Sequence, residues 1–508
     1  MPYKRDLIPI LQNLDLGSSI AELDELLEQA RIETSAFTDL LNDRVDLVPG
    51  TKGSGKSALF RIFVDFLPQI LLDEKKVVIA HGVQKQGDDV FHAYKDKFDQ
   101  LSEDEFTSFW FIYLISLINE HFIKGQVYQS SLREVDPEVK AFKEACAKAQ
   151  IPEIRGAKSL KEILGWGLEI LKRWRPKIAY RMPDGSAVEL DLFGQAAESH
   201  KENPNNFDEL RHIEEIRGAL DELLSKIDLH VWLMIDRLDE IFPRRSQLEA
   251  RGLRGLLRTL RLFNSESIRV KIFLRDDMLE NIVSDSQGFT ALTHITERRA
   301  DTLRWSEEAI LTLIVKRLFL NDELRDYYGV DLEKIDSSNE YRKEAFYKVF
   351  PRYVHRPPNQ SETHRWIYSH TRDGRDVVTP RDVIDLLKRA IQWQQEDFNY
   401  DPNGETDHLI SAKAIRYGLE ELSKRKKETY LQAEFPHLWG NIEKFIGGKT
   451  EYTENAIKNV LGSNWKSICD DLIAIGLIQK RRNEGTGQTT YWFPFVYRQG
   501  LELSQGTA

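Results

Sequence analysis

Apolar residues at Ile20, Leu23, Leu26 and Leu27 in SIAELDELLEQA recur at helical spacing behind Ser18 and Ser19, which predicts a capped helix within the first forty positions. The pattern then shortens. Val45-Asp46-Leu47-Val48 reads as a strand, 50–55 as a glycine-rich turn, 57–67 as a helix and 75–80 as a second buried strand. Strand, helix, strand is the order of a parallel α/β sheet. From about 85 to 228 the periodicity is mostly helical. One hairpin is predicted inside that block, over 177–182 and 187–193, turning at Pro183-Asp184-Gly185. The sheet resumes at 230–235 (HVWLMI) and at 270–274 (VKIFL), and 300–395 and 405–430 predict helices alone. The last stretch predicts helices over 435–446, 453–461 and 464–475, then strands over 477–482 and 491–497. No internal repeat or low-complexity tract interrupts the chain.

Length adds that 508 residues suffice for roughly three domains. With 41% hydrophobic and 30% charged residues the chain can bury a core, which excludes a disordered or fibrous protein. A net charge of −11 argues against a surface built wholly for nucleic acid, while leaving room for a local basic patch. Cys146 and Cys469 lie too far apart in sequence to suggest a zinc cluster and suit a reducing cytosol. The run FWFIYLISLI, 109–118, falls short of the roughly 20 residues of a spanning helix and predicts a buried core helix. With no secretory signal at the start, the expectation is a soluble, cytoplasmic protein without a membrane role.

The chemistry concentrates at a few places. Gly50-Thr51-Lys52-Gly53-Ser54-Gly55-Lys56-Ser57, followed by Ala58, fills every specified position of G-x-x-x-x-G-K-[ST], with an apolar strand before it and a helix after it. Glycines let backbone N–H groups turn inward and cradle phosphate oxygens. Lys56 supplies a point charge for the β- and γ-phosphates of ATP, Ser57 a hydroxyl for Mg²⁺, and the helix its positive end.

The strand 230–235 runs into Asp236-Arg237-Leu238-Asp239-Glu240. A carboxylate at the end of a buried strand reaches the sheet edge where ligands bind, so Asp236 is the second metal candidate. Asp239 or Glu240, three and four positions on, is the candidate for polarising an attacking water. The bland reading makes those two a helix cap. The long spacing from Lys56 to Asp236 marks 85–228 as a large insertion. Arg275, at the tip of the strand 270–274, is a candidate γ-phosphate sensor, against a salt-bridged loop arginine. Arg381 in Thr379-Pro380-Arg381-Asp382 opens a helix and is a candidate lid sensor, against a capping salt bridge.

These residues resemble the bacterial STAND-like and KAP-like P-loop ATPases, relatives of the AAA+ class that includes the archaeal Orc/Cdc6 initiators. The carriers are GTKGSGKSAL (50–59), DRLDE (236–240), FLRDD (273–277) and TPRDVIDLL (379–387). The segment ETSAFTDLL resembles a bacterial group often encoded near phage-defence genes, and D-x-L-D-E is similar to the NACHT form. The resemblance implies an α/β P-loop core (1–300) with a large helical insertion, a helical lid (301–428) and a C-terminal winged helix (429–508). In that family the first acid serves the metal and a later one the water, which maps onto Asp236 and then Asp239 or Glu240. Arg298 and Arg299 are the candidates for an arginine finger offered to a neighbouring copy.

The C-terminal module resembles a winged helix, its wing carrying Lys480, Arg481 and Arg482 with Arg498 after it, residues suited to phosphate contacts. The third helix offers only Lys466, beside Asp470 and Asp471. Eight basic and eight acidic residues over 430–508 weaken a DNA reading. A nuclease reading of Asp184, Glu189 and Asp191 lacks a nearby lysine, and a hairpin explains those residues. The expectation is therefore a slowly hydrolysing switch ATPase, a regulatory or sensor component of a bacterial, anti-phage system, with a protein effector and self-oligomerisation as its partners. The alternatives are an initiator-like DNA-binding ATPase using the winged helix, and a scaffold that holds ATP without hydrolysis.

Overall fold

The computed structural model describes residues 7–67, 77–82, 98, 101–123, 129–151, 178–181, 187–190, 209–240, 246–263, 265, 267–284, 297–355, 361–400, 408–482 and 487–508. Contacts divide the chain into two compact units. One comprises Ala36–Thr51 with Leu59–Thr302, the other Met1–Ser35, Lys52–Ala58 and Leu303–Ala508.

The first unit holds strands β1 (Leu47–Gly50), β2 (Val77–His81), β3 (Ile178–Arg181), β4 (Ala187–Leu190), β5 (His230–Ile235) and β6 (Ile268–Arg275). Four of them form a parallel sheet in the order β1-β6-β5-β2. Strands covered on both faces must be apolar at consecutive positions, as β5 is from Val231 to Ile235. The strand expected over 45–48 begins two residues later. Val45 and Asp46 instead form a buried charge anchor. Lys271, fully buried on β6, donates to the Val45 carbonyl at 2.8 Å, to Asp46 at 2.9 Å and to Asp43. Arg298 adds bonds to Asp46 and Asp43, and Arg299 makes a parallel bridge to Leu47. Arg298 is thereby engaged within its own chain rather than presented outward.

Between β2 and β5 the described chain is helical, apart from the β3–β4 hairpin, which pairs in the expected antiparallel register. Its turn at Pro183-Asp184-Gly185 lies outside the described residues. Ser102 and Glu105 form a reciprocal cap at the start of the helix Glu103–Ile118. That helix packs on Gln247–Leu262, with the Trp110 indole donating to the Gly252 carbonyl at 2.9 Å. Gly255 is required there, since a Cβ would stand 2.5 Å from that of Phe106. Among the described residues only Glu103–Ile123 is long and apolar enough to cross a membrane, and 83% of its most apolar window is buried in the core.

In the second unit the helix expected over 20–27 is absent. Ala21–Leu23 is a single tight turn, and turns continue to Ala30. The cause is Asp24, whose carboxylate is drawn into a buried pair with Arg317. It also accepts the N–H of Ser18 at 3.1 Å and of Leu26 at 3.4 Å. Those bonds replace a helix with a loop. Helices Glu307–Phe319, Asn339–Val349, Thr363–Thr371, Pro380–Tyr400 and Ala412–Lys426 fill the stretch expected to be helical.

Toward the C-terminus come Pro436–Ile442, Glu454–Leu461 capped by Thr453, and Trp465–Ala474. Four strands accompany them, β7 (Lys449–Thr453), β8 (Gln479–Arg482), β9 (Thr489–Trp492) and β10 (Ser504–Thr507), ordered β10-β7-β9-β8. β7 and β10 were not expected. The strand expected over 491–497 stops at Trp492, because Pro494 precedes a short helix, Phe495–Arg498. Arg498 also departs from expectation. It is 8% exposed, stacks on Trp492 and Phe495, and donates to the Phe493 carbonyl, so it makes no phosphate contact.

Candidate phosphate-binding site

β1 ends at Gly50, paired with Arg275 at the end of β6, so the loop leaves the carboxyl edge of the sheet. Thr51 is buried. Gly53 and Gly55 then take φ of +81° and +98°, a backbone that side chains disfavour. This alternation turns successive N–H groups toward one concave side, the form of an anion nest. Lys56, Ser57 and Ala58 follow as the first turn of the helix Lys56–Arg61. Motif, glycine conformations and flanking elements coincide as the sequence implies.

The loop is held by residues that sequence spacing does not reveal. The Trp305 indole donates to the Ser54 carbonyl at 2.7 Å, and its ring and Leu303 border Gly55. Arg381 lies against Gly53, where a Cβ would stand 3.1 Å from its own and 3.3 Å from Thr379 Oγ1. Lys52 forms an ion pair with Glu434, a nearly buried carboxylate. Arg381 thus lies beside the loop.

Its helix start is fixed in turn. Thr379 Oγ1 accepts the Asp382 N–H at 3.2 Å, and Lys426 Nζ donates to Asp382 at 2.7 Å. Lys426 also lies 5.2 Å from the ring of Tyr430 and 5.5 Å from that of Tyr497. Burial works against the ammonium, but Asp382 outweighs it and holds the Lys426 pKa above its ordinary value. No local pattern points to Trp305, Lys426 or Glu434. Only the TPRD motif flagged this corner.

The acidic cluster belongs to the sheet unit. β5 ends at Ile235, and Asp236 follows at 9% exposure on the carboxyl edge. Arg237 then adopts a φ of +60°, a turn costly for a non-glycine residue, and carries the chain into the tight turn Leu238–Glu240. The turn delivers Asp239 to Arg275, whose Nη1 donates to it at 3.3 Å. Arg275 also donates twice to Asp277, at 2.9 and 2.8 Å. Burial opposes the guanidinium charge, yet the two carboxylates raise its pKa. The side chain of Glu240 lies outside the described residues. Ser57 in one unit carries a hydroxyl and Asp236 in the other a carboxylate, each a hard oxygen donor of the kind that suits Mg²⁺. The described residues contain no cluster of three His, Cys, Asp or Glu that would hold a metal unaided.

With its parallel sheet, glycine nest and long interruption between β2 and β5, the chain has an α/β P-loop NTPase fold with helical insertions. No family model matches the sequence, and no curated protein does. Solved structures give broader likenesses. The Aeropyrum pernix ORC2 protein in ADPNP–ADP complexes is 11% identical, with 93% of this chain and 92% of that one covered and a TM-score of 0.42. A Walker-type ATPase of Pyrococcus abyssi is 12% identical over 97% and 100%, at 0.36. Drosophila ORC bound to DNA is 11% identical over 99% and 94%, at 0.29. At these scores the likenesses carry no argument, and the reading of the site rests on the loop and the sheet edge.

Proposed function

We propose that the chain is an ATP-binding switch that hydrolyses its nucleotide slowly. The observation carrying this reading is the GTKGSGKS loop at the end of β1, with Gly53 and Gly55 both at positive φ. The loop amides and Lys56 hold the β- and γ-phosphates, and Ser57 and Asp236 are the residues that would hold Mg²⁺. When bound, that ion neutralises charge developing on the phosphate oxygens. Asp239 or Glu240 orients the water and takes its proton. Arg275 and Arg381 respond to the γ-phosphate. Turnover is slow because Arg298, one of the two arginine-finger candidates, is held by Asp46 and Asp43 of its own chain.

In this reading 1–300 is the nucleotide domain, 301–428 the lid and 429–508 a winged helix that keeps the site closed, supported by the Lys52–Glu434 pair. The resemblance to STAND-like ATPases extends the proposal to a regulatory or sensor component of an anti-phage system, acting through self-association or a protein effector. Lys56→Ala tests the site. It removes the charge placed on the phosphates and is expected to abolish ATP binding in a calorimetric titration. Unchanged affinity rules the site out. A second reading, a DNA-binding ATPase, is favoured by Lys480, Arg481 and Arg482, all exposed on β8 at the edge of its sheet.

A further inference from the structure

The nest at the loop depends on one peptide. In a planar trans peptide the C=O and the N–H point to opposite sides, so whatever captures the carbonyl also aims the amide. The Ser54 carbonyl is captured. Trp305 Nε1 donates to it at 2.7 Å. The Gly55 N–H of the same peptide is therefore turned away from Trp305. Gly55 leaves the flip possible, because at φ +98° and without a side chain it can also adopt the opposite orientation. Its missing Cβ would meet Trp305 Cζ2 at 3.6 Å, ordinary contact distance, so the indole closes one side of the glycine without crowding it.

Trp305 is itself fixed at both ends. Its carbonyl accepts the Tyr368 hydroxyl at 3.0 Å, and the next residue, Ser306, caps the helix Glu307–Phe319 by accepting the Ala309 N–H at 3.1 Å. The indole therefore reaches the loop from a rigid helix start. Ser54 Oγ, also buried, makes no hydrogen bond and cannot substitute as an anchor.

We propose that Trp305 is a positioning residue for phosphate binding: its indole N–H locks the Ser54–Gly55 peptide so that the Gly55 amide faces the anion. The inference rests on the loop being a nucleotide site, as proposed above. It assigns a role to a side chain outside every motif of the sequence, and it makes the loop's shape a property of the 303–306 segment as well as of its glycines.

The test uses the full chain with Trp305→Phe, which keeps a ring against Gly55 and deletes the donor. Without the anchor the peptide samples both orientations, and affinity for ATP, ADP and inorganic pyrophosphate is expected to fall in parallel by about tenfold. KM for ATP is expected to rise by the same factor with kcat nearly unchanged, since the amide grips ground state and transition state alike. A role in packing alone would lower the melting temperature and leave the three affinities where they were. Equal affinities in wild type and variant overturn the inference while leaving the nucleotide reading intact. A wild-type chain that binds none of the three ligands overturns the nucleotide reading, and the inference with it. If the Phe variant does not fold, Trp305→Met carries the same expectation, since it fills space beside Gly55 and has no donor. Should neither fold, Trp305 is a folding residue and the inference is wrong.

Discussion

Replacing Lys426 with Met leaves Asp382 as a nearly buried carboxylate without its ammonium partner, the two side chains being 13% and 11% exposed. Met fills most of the space of the lysine stem, so little of the cost comes from a cavity. Removing one partner of a buried pair costs about 3–5 kcal/mol. The expected loss is therefore about 3–5 kcal/mol, including the weaker contacts to the Tyr430 and Tyr497 rings. The measurement is urea unfolding of the full chain followed by tryptophan fluorescence, together with ATP titration. The double variant Lys426→Met/Asp382→Asn should recover most of the stability, since no charge is stranded. ATP affinity should fall in the single variant, because Asp382 and Arg381 share the first turn of the helix Pro380–Tyr400. A single variant that loses less than about 1 kcal/mol, with the double variant simply additive, would refute the argument that this pair sets the helix start.

Asp239→Asn and Glu240→Gln should each retain ATP, and whichever removes the base should stop phosphate release; two variants that turn over like the wild type dismiss both acids. Changing Lys480, Arg481 and Arg482 together to Glu should leave a weak DNA affinity unaltered and shift nucleotide exchange or oligomer size instead. Nanomolar, salt-dependent DNA binding lost in that variant would favour the initiator-like reading. His370 lies stacked between Trp366 at 3.9 Å and Phe495 at 4.0 Å, and burial pushes its pKa down to about 3. The folded state therefore refuses a proton that the unfolded chain accepts near pH 6.5. Its contribution is intact above that pH and is lost as pH falls toward 3, by up to about 1.4 kcal/mol per unit. His370→Phe should flatten the slope of stability between pH 6 and 4, and an unchanged slope would clear this residue.

What the sequence made legible was short in range. The loop is eight consecutive residues whose glycines carry their own conformational reason, and β5 announces Asp236 by five buried apolar positions in a row. The misses have long-range causes. The apolar spacing around Leu23 and Leu27 suits a helix, yet Arg317 recruits Asp24 and the backbone follows the carboxylate. β7 (KTEYT) and β10 (SQGT) carry too few apolar residues to be seen, because pairing with strands distant in sequence rather than an apolar run organises them. Trp305, Lys426 and Glu434 act on the loop from far downstream, and no spacing rule connects them to it.

The position of β1 has a consequence for synthesis. Its sheet neighbour is β6, and its other side is bridged by Arg299; Val45 beside it bonds to Lys271, 226 residues later. At typical translation rates that interval lasts roughly 10–45 seconds. Throughout it the strand that leads into the loop has emerged without either partner and presents an unpaired edge, which is open to unwanted pairing. Trp305, Arg381 and Glu434 follow later still. The loop after β1 is therefore among the first parts of that unit to be made and among the last to be shaped, and on the proposed reading ATP can steady this chain only after most of it has left the ribosome.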